Sequence, residues 1–253
     1  MPANYMFTNA PSAPKGEAAI GYVLAEMDKH GIDFGLVDAT DRDGLGAKAV
    51  RTYPDRFGGV IQVDPNFGMD AVYLLEERIK SNEGIAASFW PAFTNPQVPI
   101  NDKKVYPIYA KCSELGIPIC ITTGVPGPRV PMMAQHVEHL DEVCWFFPDL
   151  KIVMRHGAEP WVDLAVKLLL KWPNLYYSTS AFAPKHYPDE IIKFANSRGA
   201  CKVMYAGYFP VGLSLERIFA ELPYVKFKDD VWPRFMGENA VDVFNINSKN
   251  FVK

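Results

Sequence analysis

The sequence has no long hydrophobic run, no surplus of positive charge, no cysteine pair and no glycine-rich phosphate loop, and each absence removes a class of function. No stretch of about 18 apolar residues occurs, so no membrane span is expected. The N-terminus, Met1-Pro2-Ala3-Asn4-Tyr5-Met6, lacks a charged region followed by an apolar run, so no secretory signal is expected. With 26 Lys and Arg against 29 Asp and Glu, the net charge is −3. No basic excess is available to neutralise phosphates, and no nucleic-acid partner is expected. The four cysteines, Cys112, Cys120, Cys144 and Cys201, form no CxxC and lie in apolar stretches. They read as reduced core thiols, which suits a cytoplasmic location. No GxGxxG follows any apolar run, and Asp43-Gly44-Leu45-Gly46 lacks the spacing, so a doubly wound nucleotide-binding sheet loses its usual mark.

What remains is an α/β rhythm. Hydrophobic residues make up 49% and charged residues 22% of the 253, an ordinary globular composition. A chain of this length matches one (β/α)8 barrel of roughly 250 residues. Short runs rich in β-branched and aromatic residues occur at 34–39 (FGLVDA), 57–64 (FGGVIQVD), 85–90 (IAASFW), 117–123 (IPICITT), 151–156 (KIVMRH), 175–180 (LYYSTS) and 202–206 (KVMYA). Most are apolar throughout, as strands covered on both faces are. Helical stripes alternate with them: Ile20, Val23, Leu24 and Met27, stopped by Gly31; Met69, Val72, Leu75 and Ile79; Met133, Val137, Leu140, Cys144 and Phe147; Trp161, Leu164, Ala165 and Leu168. A shorter stripe holds Ile218, Phe219 and Leu222, and a C-terminal one includes Val231, Phe235, Ala240 and Val243 in part. The proline-rich stretches 91–99 and 125–131 each follow a strand and read as long βα loops.

One element is missing. Residues 1–16 contain no convincing strand, so the chain enters at a helix where a barrel requires its first strand. The expectation is one domain, 1–253, with seven parallel strands in barrel order. An irregular arm, 1–16, would fill the gap near Tyr5–Phe7. An exposed edge at 34–39 or 202–206 is a pairing hazard, to be covered by the arm, the chain end or a second subunit in a homo-oligomer.

Four segments resemble the amidohydrolase superfamily, particularly its branch of small-acid decarboxylases and related hydrolases (the aminocarboxymuconate-semialdehyde decarboxylase-like group). Phe147-Pro148-Asp149-Leu150-Lys151-Ile152-Val153-Met154-Arg155-His156-Gly157 is similar to the family's F-P-x-L-K-I-V-x-x-H-G run. Leu115-Gly116-Ile117-Pro118-Ile119-Cys120-Ile121-Thr122-Thr123-Gly124 resembles its G-I-P-V-x-I-H-x-G. Val203-Met204-Tyr205-Ala206-Gly207-Tyr208-Phe209-Pro210 resembles V-L-F-G-S-D-Y-P, and Glu238-Asn239-Ala240 with Phe244 resembles the closing E-N-A-x-x-x-F helix. The resemblance implies an α/β, TIM-barrel-like (β/α) barrel of the metal-dependent-hydrolase type, here without a regular first strand. It also implies hydrolysis of a C–O or C–N bond, or loss of carbon dioxide.

The departures concern the metal. Zinc or manganese is the family default, but the strand-one His-x-His is absent. Thr122 stands where the family has a histidine and Tyr208 where it has an aspartate; only His156 survives in kind. A catalytic zinc site uses three protein ligands of the His, Asp, Glu or Cys type, so no metal cofactor is expected.

His156, at a strand C-terminus, reads as a neutral base or as a donor to a substrate oxygen; a hydrogen-bonded structural histidine is the alternative. Tyr208 reads as its catalytic partner, donating where the aspartate would accept a proton. Arg129, in the stiff loop GVPGPRVP, suits bidentate binding of a carboxylate, against a solvated loop arginine. Thr122 and Thr123 at a strand end, Glu159 as a positioner of His156, and His186 in a loop at the same end are further substrate-site candidates. So are Trp90 and Tyr205, lining an apolar mouth with Phe93 and Phe209. His136 and His139, three apart around Glu138, read as packing or surface residues. The expected partner is a small carboxylate. Three functions follow: a metal-independent enzyme on a small, possibly aromatic or cyclic, acid or ester; a metal enzyme with ligands recruited from His156, His186 and Glu159; or a non-catalytic barrel kept for binding or oligomerisation.

Overall fold

The computed structural model describes residues 4–7 and 9–246. Residues 1–3 and Thr8 of the expected arm, and 247–253 of the expected domain, lie outside the described residues. Seven parallel strands follow one another in a single curled sheet: β1 Gly35–Asp38, β2 Phe57–Val63, β3 Ala86–Phe89, β4 Ile119–Thr122, β5 Ile152–Arg155, β6 Leu175–Ser178 and β7 Val203–Met204, each paired with its sequence neighbours. Every strand run read from the sequence forms a strand. Nine α-helices are seen among the described residues: α1 Ala18–Lys29, α2 Leu45–Thr52, α3 Met69–Lys80, α4 Tyr106–Leu115, α5 His139–Phe146, α6 Val162–Lys171, α7 Asp189–Ala195, α8 Leu215–Glu221 and α9 Asn239–Phe244. No helix of the described residues is long and apolar enough to cross a membrane.

Alternation along each strand sorts the side chains. Outward residues such as Ile61, Ile119, Ile121, Ile152, Met154 and Tyr177 pack against buried helix residues including Leu75, Ile108, Leu140 and Leu169. Inward residues Val60, Ala86, Cys120, Val153 and Met204 form a smaller cluster with Val243 and Phe244 of α9. The last helix therefore plugs the N-terminal end of the sheet, and polar groups bolt it there. Asn239 Nδ2 donates to the carbonyls of Ala200 and Val203, both at 2.7 Å. Lys151 Nζ donates to the Asp242 carbonyl at 2.6 Å, and Asn245 Nδ2 to that of Gly116 at 3.2 Å.

The two sheet edges differ. β7 is covered by the chain end: Tyr205 N donates to Phe235 O at 2.7 Å, from a π-helical turn at Arg234–Glu238. β1 has Leu36 and Asp38 exposed on its inward face. The ring of elements is joined outside the strands, where Tyr22 of α1 meets Phe209 at 5.5 Å and His30 stacks on Phe219 of α8 at 5.0 Å. The arm contains a 3-10 turn, Asn4–Met6. Its Phe7 seats against Gly212, where a Cβ would lie 2.6 Å from the ring, so a larger residue there would push the Phe7 ring aside.

Two readings need correction. The stripe from Met133 to Phe147 is not one helix: a 3-10 turn at Met133–Gln135 is followed by extended backbone at His136, whose Nδ1 accepts the Glu138 N–H and competes with helical pairing. Cys201 is exposed, unlike the three buried thiols, because it sits in the turn before β7. The stripes also missed α2, α4 and α7.

Asn239→Ala should lower the unfolding free energy by about 2 kcal/mol, since two carbonyls lose their donor at once. Urea unfolding followed by circular dichroism measures it, and an unchanged midpoint would show that α9 is held by its apolar contacts alone.

Candidate functional site

The C-terminal ends of the strands carry a group of buried polar atoms that the described residues leave unmatched. Arg155 closes β5 on the inward face, beside Thr122 of β4, its Cα partner across the ladder. In a regular strand the next residue would point outward. His156 instead has φ 66°, a left-handed conformation costly for a residue with a Cβ. Gly157 follows at φ 94°, where a Cβ would collide with Phe182 and Glu159. The kink brings Arg155 and His156 together on one aromatic wall. The Arg155 guanidinium carbon lies 5.0 Å from the Trp90 ring centroid, and the His156 ring meets the same indole edge-on at 5.6 Å.

Trp90 follows β3 and packs edge-on against Phe93 at 5.1 Å. Tyr208, beyond β7, meets His156 at 5.1 Å, and Phe7 of the arm covers Tyr208 at 5.6 Å. His156 Nδ1 is held by Ser180 Oγ at 2.5 Å. Among the described residues its Nε2 is buried without a partner. So are Arg155 Nε and Nη2, Trp90 Nε1 and Thr122 Oγ1. Buried polar atoms are normally paired, so five unpaired atoms at one mouth mark a place built for something other than the chain itself.

Electrostatics sets the protonation states. Burial pushes the His156 imidazole well below its ordinary value, the adjacent Arg155 cation adds to this, and Ser180 opposes it. His156 is therefore neutral at pH 7. Burial lowers Arg155 from its ordinary value against the pull of Cys120, Tyr208 and Asp38, and a guanidinium remains charged throughout the physiological range. Burial raises the Tyr208 phenol, opposed by Arg155, so Tyr208 keeps its proton.

Other residues read from the sequence fall elsewhere. Thr123 Oγ1 donates to the Gly157 carbonyl at 2.6 Å and holds the kink. The Glu159 carboxylate accepts from Ala158 N at 2.9 Å, while Ser180 takes the positioning role expected of Glu159 towards His156. Arg129 is exposed and stacks on Tyr5 at 4.3 Å, with the Tyr5 hydroxyl donating to Gly127 O at 2.6 Å; its contacts are with the arm. Tyr205 points outward against Phe219 and Phe235, because it lies one residue out of phase with inward Met204. His186 is exposed in a 3-10 turn. His136 packs on Trp161 at 4.0 Å. The sequence reading missed Arg155; its signal was a lone cation ending an otherwise apolar strand run.

A trough of about 680 Å³ lies outside the barrel, lined by His139, Asp141, Trp145, Lys171 and Trp172 among others. There Asp141 already bonds Lys171 at 2.7 Å and Trp172 Nε1 at 2.6 Å. Its one lysine is paired with Asp141, and no buried unpaired polar atom belongs to its lining among the described residues, so the strand ends are the stronger candidate.

The residues at the strand ends do not fit a divalent metal. Among the described residues no three His, Cys, Asp or Glu side chains converge. The group beside His156 is a guanidinium, which repels a cation, and the other neighbours of the imidazole are a serine hydroxyl, an indole and a phenol.

The amidohydrolase family profile matches residues 10–246. Among solved structures, an uncharacterized TIM-barrel protein from Bordetella bronchiseptica is 24% identical, with TM-score 0.80 over 91% of this chain and 84% of that one. A 5-carboxyvanillate decarboxylase from Sphingomonas paucimobilis is 19% identical, with TM-score 0.67 over 90% and 83%. A dihydroxybenzoic acid decarboxylase from Polaromonas, with bound manganese and the inhibitor 2-nitroresorcinol, is 16% identical, with TM-score 0.64 over 92% and 88%. A search of the curated proteins found no match. The strand order, the polar mouth at the strand C-termini and the match over nearly the whole chain lead to one conclusion: this protein belongs to the amidohydrolase family.

Proposed function

We propose that the chain is a cytoplasmic enzyme, folded as one barrel domain, that hydrolyses or decarboxylates a small organic acid or ester with an aromatic or cyclic body, without a catalytic metal. The observation that carries this reading is His156: half-buried, neutral, anchored through Nδ1, with a buried and unpartnered Nε2 in the mouth. With Nδ1–H donating to Ser180 Oγ, Nε2 offers a lone pair as base; in the other tautomer it donates to a substrate oxygen. Tyr208 donates a second hydrogen bond from the same side. Trp90, Phe93 and Phe7 give the apolar surface that a ring requires. The decarboxylases among the solved relatives support a carboxy-lyase reaction. Donor chemistry at the strand ends argues against the metal, and exposed His186 and engaged Glu159 argue against recruited ligands. A second reading, a carboxylate-binding barrel without turnover, is favoured by the way Trp90 and Tyr208 close on His156.

Two outcomes test these statements. A panel of aryl carboxylates and cyclic esters, followed by ultraviolet absorbance, should reveal turnover that His156→Gln lowers by about 10²–10⁴-fold with binding retained. Binding without turnover across the panel would select the second reading, and full activity in His156→Gln would remove His156 from the reaction.

The second outcome concerns pH. His156 titrates near about pH 6.5 in the unfolded chain and lower in the folded one. Between those values the unfolded state binds more protons, so stability is complete above about pH 6.5 and falls as pH drops towards the folded value. His136, also depressed by burial, acts in the same direction and is present in both proteins compared. Urea midpoints measured from about pH 7.5 to 5.5 should fall less steeply in His156→Asn than in the parent. Parallel slopes would place the imidazole in solvent.

A further inference from the structure

We propose that Arg155 is the fixed positive charge of this site and that it seats a substrate carboxylate together with Trp90 and Thr122. The proposal deepens the functional reading above and rests on its placing of the substrate at the strand ends.

Three observations converge. First, Arg155 is half-buried, and its Nε and Nη2 are buried without a counter-charge. Among the described residues no carboxylate lies within 4.0 Å of it, and Asp38 acts on it only from farther away. Elsewhere the fold treats a buried arginine differently. Arg78, 2% exposed, lies 2.9 Å from Glu83 and donates to the Thr40 and Ala39 carbonyls. A structural arginine is matched in this protein; Arg155 is not.

Second, the unmatched atoms have the shape of a receptor. Nε and Nη2 are the two nitrogens on one edge of the guanidinium, the edge that grips a carboxylate with two parallel hydrogen bonds. Trp90 Nε1 can only donate, and Thr122 Oγ1 can donate; both are buried and unpartnered, on residues that touch or pair with Arg155. This is a donor set, complementary to an anion and repulsive to a divalent cation. Third, the surrounding wall is aromatic, so the charged end of a ligand would lie at Arg155 while its apolar body faces Trp90, Tyr208 and Phe7.

Benzoate and its neutral isostere benzamide are the probes, titrated calorimetrically into the full chain. Benzoate should bind more tightly than benzamide. Arg155→Met should weaken benzoate by about tenfold to a hundredfold and benzamide by clearly less, with Arg155→Lys between. Thermal unfolding gives an independent readout: Arg155→Met should melt at the same temperature as the parent or higher, because it removes a charge whose Nε and Nη2 are buried without a counter-ion. Manganese chloride titrated into the parent should show no saturable binding. Equal affinity for benzoate and benzamide, unaltered benzoate binding in Arg155→Met, a clear drop in its melting temperature, or stoichiometric manganese binding would each overturn the proposal. The His156→Gln turnover assay separates the two claims, since the carboxylate seat can hold in a protein with no turnover, and turnover can depend on His156 with no seat at Arg155.

Discussion

Every inward position of the sheet follows from one register, in which Cys120 pairs with Val153 and Thr122 with Arg155. Parallel strands are buried on both faces by helices outside and by the curl inside. A slip of one residue would send Val153 and Arg155 outward into the helix layer and bring Ile152 and Met154 into the barrel. The apolar layer at the bottom, sealed by Val243 and Phe244, and the polar layer at the top are consecutive turns of the same alternation. The plug and the mouth are thus two consequences of one pairing.

The mouth depends on a single break in that alternation. The left-handed backbone at His156 costs conformational energy, and Gly157, Thr123 and Ser180 hold it in place. In return two consecutive side chains, a cation and a neutral imidazole, address the same space. Their proximity is also electrostatic: the guanidinium helps to keep the imidazole unprotonated. A metal would require the reverse environment, with acceptors converging where this chain presents donors.

The open side of the barrel is handled unequally. β7 gives its free edge to the closing π-helical turn and to Asn239, which explains physically why an Glu-Asn-Ala sequence ends the fold: the amide bridges two carbonyls that no strand reaches. On the other side α1 and α8 join through Tyr22, His30, Phe209 and Phe219, so the ring of helices closes where the ring of strands does not. The arm lies over the mouth, linking the loop after β4, through Tyr5 and Arg129, to the loop after β7, through Phe7 and Tyr208.

The sequence by itself determined the seven strands and their parallel order, because runs apolar on both faces are local signals and their alternation with helices admits few topologies. It also showed Thr122 and Tyr208 at positions where the family it resembles has a histidine and an aspartate, since that is a matter of residue identity. It placed His156, whose position at a strand end is local. Only the tertiary structure decided which side chains meet there. Arg155 reads locally as an ordinary strand-end cation; the register turns it inward and the His156 kink sets it beside the imidazole. Tyr205 and Arg129 read as mouth residues, yet strand phase sends Tyr205 into the helix layer and the arm takes Arg129. Direction of a side chain at a strand end depends on phase, curl and the backbone of the next residue, and these are properties of the assembled sheet.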